Sequence, residues 1–222
     1  MKRFLLICGF AIATTTLAGC SSKMVSSDEY SGFLPDYSKL VEGESPSGAP
    51  TMHWIDPALD LNQYTSIYLE RSQFYPRPKP TARVSQDTLD RITRYYDQAL
   101  KREMSKSLPV VDTPLAGSII VKPAITAVSA SDKDLAVYEV IPIALVAAAV
   151  SSASGIRDQN VTLATEAMLI DANNNKVIAE VVRKGEGKVL ENDSQPITAD
   201  DVKLVIDHLA EDLHNSYLTL KK

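Results

Sequence analysis

The residues whose types and spacing set up a definite reaction are Leu17-Ala18-Gly19-Cys20. Cys20 brings a thiol to which a lipid group can be joined, and the small Ala18 and Gly19 leave the backbone before it open to a peptidase. The chemistry these residue types permit is modification of Cys20 and cleavage between Gly19 and Cys20. The rest of the chain offers little chemistry. Its three histidines are His53, His208 and His214. On a helix, His208 would share a face with Glu211 and Asp212 at i,i+3 and i,i+4 spacing. One imidazole and two exposed carboxylates fall short of a metal site, so we read a charged helix face and predict no metal. No serine stands in a G-x-S-x-G elbow or an S-x-x-K pair, and no glycine-rich phosphate loop exists. The sequence thus predicts no catalytic residue, no cofactor and no enzyme.

The surroundings of Cys20 agree with its expected chemistry. Lys2 and Arg3 are a basic start, Phe4 to Ala13 an apolar core and Thr14-Thr15-Thr16 a polar break, which is the plan of an export signal. The apolar part is too short for a membrane-spanning helix, which needs about 20 residues. With this context, Leu17-Ala18-Gly19-Cys20 resembles the lipobox of bacterial lipoproteins. The resemblance implies a lipid, palmitate included, on Cys20 and attachment to a membrane. Ser21, where Asp would mark inner-membrane retention in many Gram-negative bacteria, implies the outer membrane and a periplasm-facing domain. The only other cysteine is Cys8, inside the signal, so no disulfide is available after cleavage.

Removing residues 1–19 deletes Lys2 and Arg3 and takes the formal charge from −5 to −7. That excludes a broad nucleic-acid footprint, which requires a basic surface. At 45% apolar and 23% charged residues the chain is ordinary globular material. We divide it into a signal (1–19), a lipidated tether with an extended arm (20–52) and one domain (53–222).

Within the arm, Ser31-Gly32-Phe33-Leu34-Pro35-Asp36-Tyr37-Ser38-Lys39-Leu40 departs from the polar composition around it. This segment resembles the opening of a family of uncharacterised bacterial lipoproteins, DUF3313. The likeness continues, less sharply, through Trp54-Ile55-Asp56-Pro57, Ile67-Tyr68-Leu69, the Val/Ala run near residue 145 and the closing helix. It implies an envelope lipoprotein and carries over no functional residue. Read from the residues alone, Phe33, Leu34, Tyr37 and Leu40 dock the arm onto the domain.

Periodicity predicts a first strand at Tyr64–Arg71 and an extended Pro76/Pro78/Pro80 linker. A helix follows from Ser85 to about Leu108, with the stripe Leu89, Ile92, Tyr96, Ala99, Leu100, Met104. Its basic side chains, interleaved with acids, read as a solvated face. Next come a strand at Gly117–Ala130, bent near Pro123, and a hairpin across Ala172-Asn173-Asn174-Asn175. A closing helix opens at Thr198 with the stripe Val202, Val205, Ile206, Leu209, Leu213, Tyr217. The expected fold is α+β: a mostly antiparallel sheet covered by two amphipathic helices, behind an N-terminal lipidated tether.

One stretch stands apart. Val140 to Val150 is eleven residues without a polar side chain, centred on Ile143, Leu145 and Val146. At about 1.5 Å per helical residue it is too short to cross a bilayer. It reads as a buried core helix, as an apolar surface for a partner or for self-association, or as a loop dipping into a lipid leaflet. The leading expectation is a lipid-anchored structural or protein-interaction role, with self-association or an envelope-protein partner. The alternative is a periplasmic binding module for a small ligand, lipid or glycan.

Overall fold

A computed structural model describes residues 25–132, 158–192 and 194–221. They form a mixed sheet with two long helices on one face and the N-terminal arm on the other. Strands β1 (Val41–Glu44) and β2 (Pro50–Ile55) make an antiparallel hairpin. They are followed by β3 (Ser66–Leu69), β4 (Gln73–Phe74), helix α1 (Gln86–Met104) and β5 (Val110–Val111). The long strands β6 (Ser118–Asp132), β7 (Gln159–Asp171) and β8 (Val177–Leu190) precede helix α2 (Ala199–Leu220). The order across the sheet is β1-β2-β8-β7-β6-β3-β5, with β4 also paired to β6. Pairings in the β1, β2, β8, β7, β6 half are antiparallel, whereas β3 and β4 run parallel to β6, and β3 parallel to β5. Parallel neighbours need a crossover, and α1 supplies it.

Two expectations are corrected here. The first strand is not Tyr64–Arg71, because β1 precedes β3 within the stretch read as tether and extended arm, and β2 straddles the boundary of that stretch at residue 52. Gly48 at φ +78° makes their turn possible, and the alternation of Thr51, His53 and Ile55 with Met52 and Trp54 fits a strand with two covered faces. The irregularity in β6 falls between Ile125 and Ala127, not at Pro123. The extra residue, Thr126, switches the register, so Ile125 and Val128 reach the same core.

The helices follow their sequence stripes. Ser85 caps α1 by accepting from the Thr88 N–H, and Leu89, Ile92, Tyr96, Ala99, Leu100 and Met104 are buried. In α2, Asp201 accepts from both the N–H and hydroxyl of Thr198, closing the first turn. A Cβ on Gly187 would strike the Asp201 carbonyl, and one on Gly185 would press on Val205, so both glycines let this end of α2 lie close against β8. The hairpin turn is tied down by Asp171, which accepts from Asn173 and Asn174, while Asn175 takes φ 60°. Among the described residues, no helix is long and apolar enough to cross a membrane.

The opposite face is closed by residues 25–40. Val25, Leu34 and Leu40 are buried against Val182, with Phe33, Tyr37, Met52, Trp54 and Met168 packed around them. The apolar character of β7 and β8 on both sides has this cause: helices cover one face, the arm the other.

Candidate functional site

Beyond its apolar packing, the segment Ser31–Leu40 is organised around one hydroxyl. The Tyr37 hydroxyl accepts from the N–H groups of Gly32 (2.8 Å) and Leu34 (3.2 Å) and donates to Glu166 Oε2 at 2.6 Å. Glu166, 1% exposed in mid-sheet, accepts a further bond from the Ser31 N–H at 3.0 Å. Gly32, at φ +83°, turns the chain so that both amides meet the one oxygen. Tyr37 stacks on Tyr30 at 4.4 Å, and Phe33 sits edge-on to Tyr75. Burial, and then the bond to Glu166, push the Tyr37 hydroxyl up to about 12, so it stays a donor at any physiological pH. The arm is therefore a clamp, as its apolar residues suggested. The hydrogen-bond centre, Glu166, lay hidden because nothing in sequence distinguishes an inward carboxylate from an outward one.

On the helix face lies a cleft of about 330 Å³ between the C-terminal half of α2 and strands β2, β8 and β7. Its walls are apolar: Ile55, Leu59, Leu169, Leu213, Tyr217 and Leu220 are among them. It exists because α2, held close at Gly185 and Gly187, passes farther along over the small Ala167 and Ala179.

A buried ion pair stands at the cleft's polar side. The Arg183 guanidinium of β8 pairs with Asp212 of α2, whose side chain is 3% exposed. Asp212 also accepts from the hydroxyls of Ser45 (2.8 Å) and Ser47 (2.7 Å) and from the Ser47 N–H (3.1 Å). Burial raises the Asp212 pKa, but the Ser47 and Ser45 hydrogen bonds and then the Arg183 charge outweigh it, holding the carboxyl below the usual aspartate range. Two nitrogens beside this network, Nε of Arg183 and Nδ1 of His53, are buried with no hydrogen-bond partner among the described residues, and both residues line the cleft. The His53 ring lies over Gly43 of β1, where any larger residue would strike it.

The charged helix face expected of His208, Glu211 and Asp212 is thus corrected. His208 and Glu211 are exposed, but Asp212 points inward to Arg183. Sequence reading missed Arg183 and both serines because the turn Ser45-Pro46-Ser47-Gly48 looked like tether. Among the described residues, no three metal-ligating side chains come together. Gly19 and Cys20, and Ile143, Leu145 and Val146, lie outside the described residues.

The geometry defines a class of protein: an α+β layered domain with an arm strapped over one face and an apolar cleft in the other. The chain belongs to the family described as protein of unknown function (DUF3313), whose model matches residues 29–213. It is 43% identical over 196 residues to the uncharacterized lipoprotein YdcL of Escherichia coli K12, covering 88% of each chain. A lipoprotein of unspecified activity fits that relative, and nothing in the family points to catalysis. Solved structures are similar only distantly. Hypothetical protein CT253 of Chlamydia trachomatis is 10% identical, with TM-score 0.44, covering 71% of this chain and 98% of its own. Protein XCC0632 of Xanthomonas campestris is 10% identical, with TM-score 0.41, covering 75% and 90%.

Proposed function

We propose that this chain is an outer-membrane lipoprotein, anchored through a lipid on Cys20 and facing the periplasm, whose domain binds a small apolar ligand close to the bilayer. The cleft carries the ligand reading: its volume falls within the range of small-molecule sites, and its walls are apolar with a few polar groups converging. The anchoring reading rests on Leu17-Ala18-Gly19-Cys20 and the lipoprotein relatives. The clamp then sets the geometry. From Cys20 to the buried Val25 is five residues, a reach of about 17 Å at most, whereas a free chain up to β1 at Val41 would reach about 70 Å. The arm keeps the domain near the membrane rather than letting it range through the periplasm.

The test is native mass spectrometry of the full lipoprotein extracted from envelopes. The wild type is expected to release a bound small molecule that Ala179→Phe, which fills the cleft, does not carry. A ligand-free protein that instead sediments as an assembly would overturn this reading in favour of a structural or partner-presenting role. Cys20→Ser should incorporate no radioactive palmitate and remain uncleaved, and labelling of that variant would refute the anchor.

A further inference from the structure

We infer that the proline-rich loop 75–80 is a second membrane contact, in which Arg77 and Lys79 meet anionic phospholipid headgroups beside the lipid anchor. The inference rests on the reading of Cys20 as lipidated and goes beyond it, since it says which corner of the domain turns toward the bilayer. The loop reads Tyr75-Pro76-Arg77-Pro78-Lys79-Pro80, two cations set among three prolines. Each proline fixes its φ and lacks an N–H, so the segment stays extended. Arg77 and Lys79 are exposed, and neither has an acid partner among the described residues.

The position of the loop follows from the arm. Val25, Glu29, Tyr30 and Ser31 line a small cavity of about 80 Å³ together with Pro76, and the Phe33 ring sits edge-on to Tyr75 at 5.6 Å. The loop therefore lies against the beginning of the arm, where the chain arrives from Cys20. Arg77 follows Pro76 directly, and Lys79 is three residues on, about 10 Å at most. The reach of about 17 Å from Cys20 to Val25 is about two Debye lengths at physiological salt. This corner can thus enter the headgroup field, whereas the far side of the domain is screened from it. The acids at the corner are Asp28 and Glu29, and Glu29 is engaged by Lys184 at 2.9 Å. With a charge of −7 after cleavage, the chain is repelled by an anionic surface except where cations project, and here two of them do. Tyr75, 38% exposed, adds a ring of the kind that settles at a membrane interface.

The full lipoprotein in phospholipid nanodiscs tests this. Ala82→Cys, exposed just past the loop, gives the lipidated chain one free thiol for a fluorophore, and a trace of phosphatidylcholine with a nitroxide on its headgroup is the quencher. Discs of phosphatidylcholine alone are compared with discs that are half phosphatidylglycerol. Quenching should be strong in the anionic discs and weak in the neutral ones, and it should fade as salt rises without the protein leaving the disc. Arg77→Gln together with Lys79→Gln should lower the ratio of docked to undocked protein about fivefold for each cation removed. Arg77→Lys with Lys79→Arg keeps both charges and should dock as the wild type does. Arg94→Gln, an exposed position of α1 across the sheet from the arm, should change nothing. Equal quenching in both discs, indifference to the double Gln variant, or an equal loss with Arg94→Gln would overturn the inference and leave the anchor standing. Protein that stays with neither kind of disc would overturn the anchor, and this inference with it.

Discussion

Tyr37→Phe isolates the clamp, because it removes one oxygen and keeps the ring, its stacking on Tyr30 and its apolar contacts. Three hydrogen bonds go with that oxygen: those from Gly32 and Leu34, and the one donated to Glu166. The Gly32 amide is exposed and finds water, so its loss is nearly neutral. Glu166 Oε2 lies under the arm on a residue 1% exposed, and it loses its hydrogen bond at a charged group. A buried group left unsatisfied costs about 1–3 kcal/mol, so the total should be about 2–3 kcal/mol. For a domain of this size that is a fall in Tm of about 8 °C. Because the damage is confined to the arm, the first consequence should be local opening that uncovers Val182, Met168 and Trp54. Chemical denaturation gives the total, and limited proteolysis gives the site, with faster cutting expected between residues 25 and 40. A loss below about 0.5 kcal/mol together with an unchanged cutting rate would show that the arm is held by apolar contact alone and that Tyr37 is no clamp.

Arg183→Ala should cost about 3–5 kcal/mol, since it strands the Asp212 carboxylate in a buried site; equilibrium unfolding measures it, and a cost under about 1 kcal/mol would mean water reaches Asp212. The Asp212 pKa is lower folded than unfolded, so its stabilisation is complete above the ordinary aspartate value of about 3.9 and is lost as pH falls through the folded value. Asp212→Asn should therefore weaken the acid dependence of unfolding, which a pH series reports. Glu180 behaves oppositely: burial raises its pKa and its Oε2 has no partner among the described residues, so the penalty is absent below the unfolded value of about 4.3 and grows as pH rises through the folded one. Glu180→Gln should stabilise the protein by about 1 kcal/mol at pH 7 and by nothing at pH 3, and an equal effect at both would refute the titration argument. Leu209→Ala, mid-stripe on α2 and 6% exposed, should cost about 2–5 kcal/mol in denaturation.

By itself the sequence determined whatever depends on local order. The stripes of α1 and α2, the cap at Ser85, the Asn turn between β7 and β8 and the docking of Phe33, Leu34, Tyr37 and Leu40 all rest on neighbours within a few residues, so spacing reveals them. The run around Cys20, on which the proposed anchor rests, is likewise a pattern of chain neighbours. Tertiary structure alone decided what depends on partners far apart in the chain. Glu166 meets Tyr37 across 129 residues and Asp212 meets Ser47 across 165. In sequence each is one more polar residue among many. The hairpin at Val41–Ile55 was hidden because β1, only four residues long with two Glu and a Gly, is stabilised by pairing with β2, and β2 by pairing with the edge of β8, not by β1's own propensity. The cleft was beyond reach altogether, being the space left where α2 passes over Ala167 and Ala179, a distance set by two glycines elsewhere on β8.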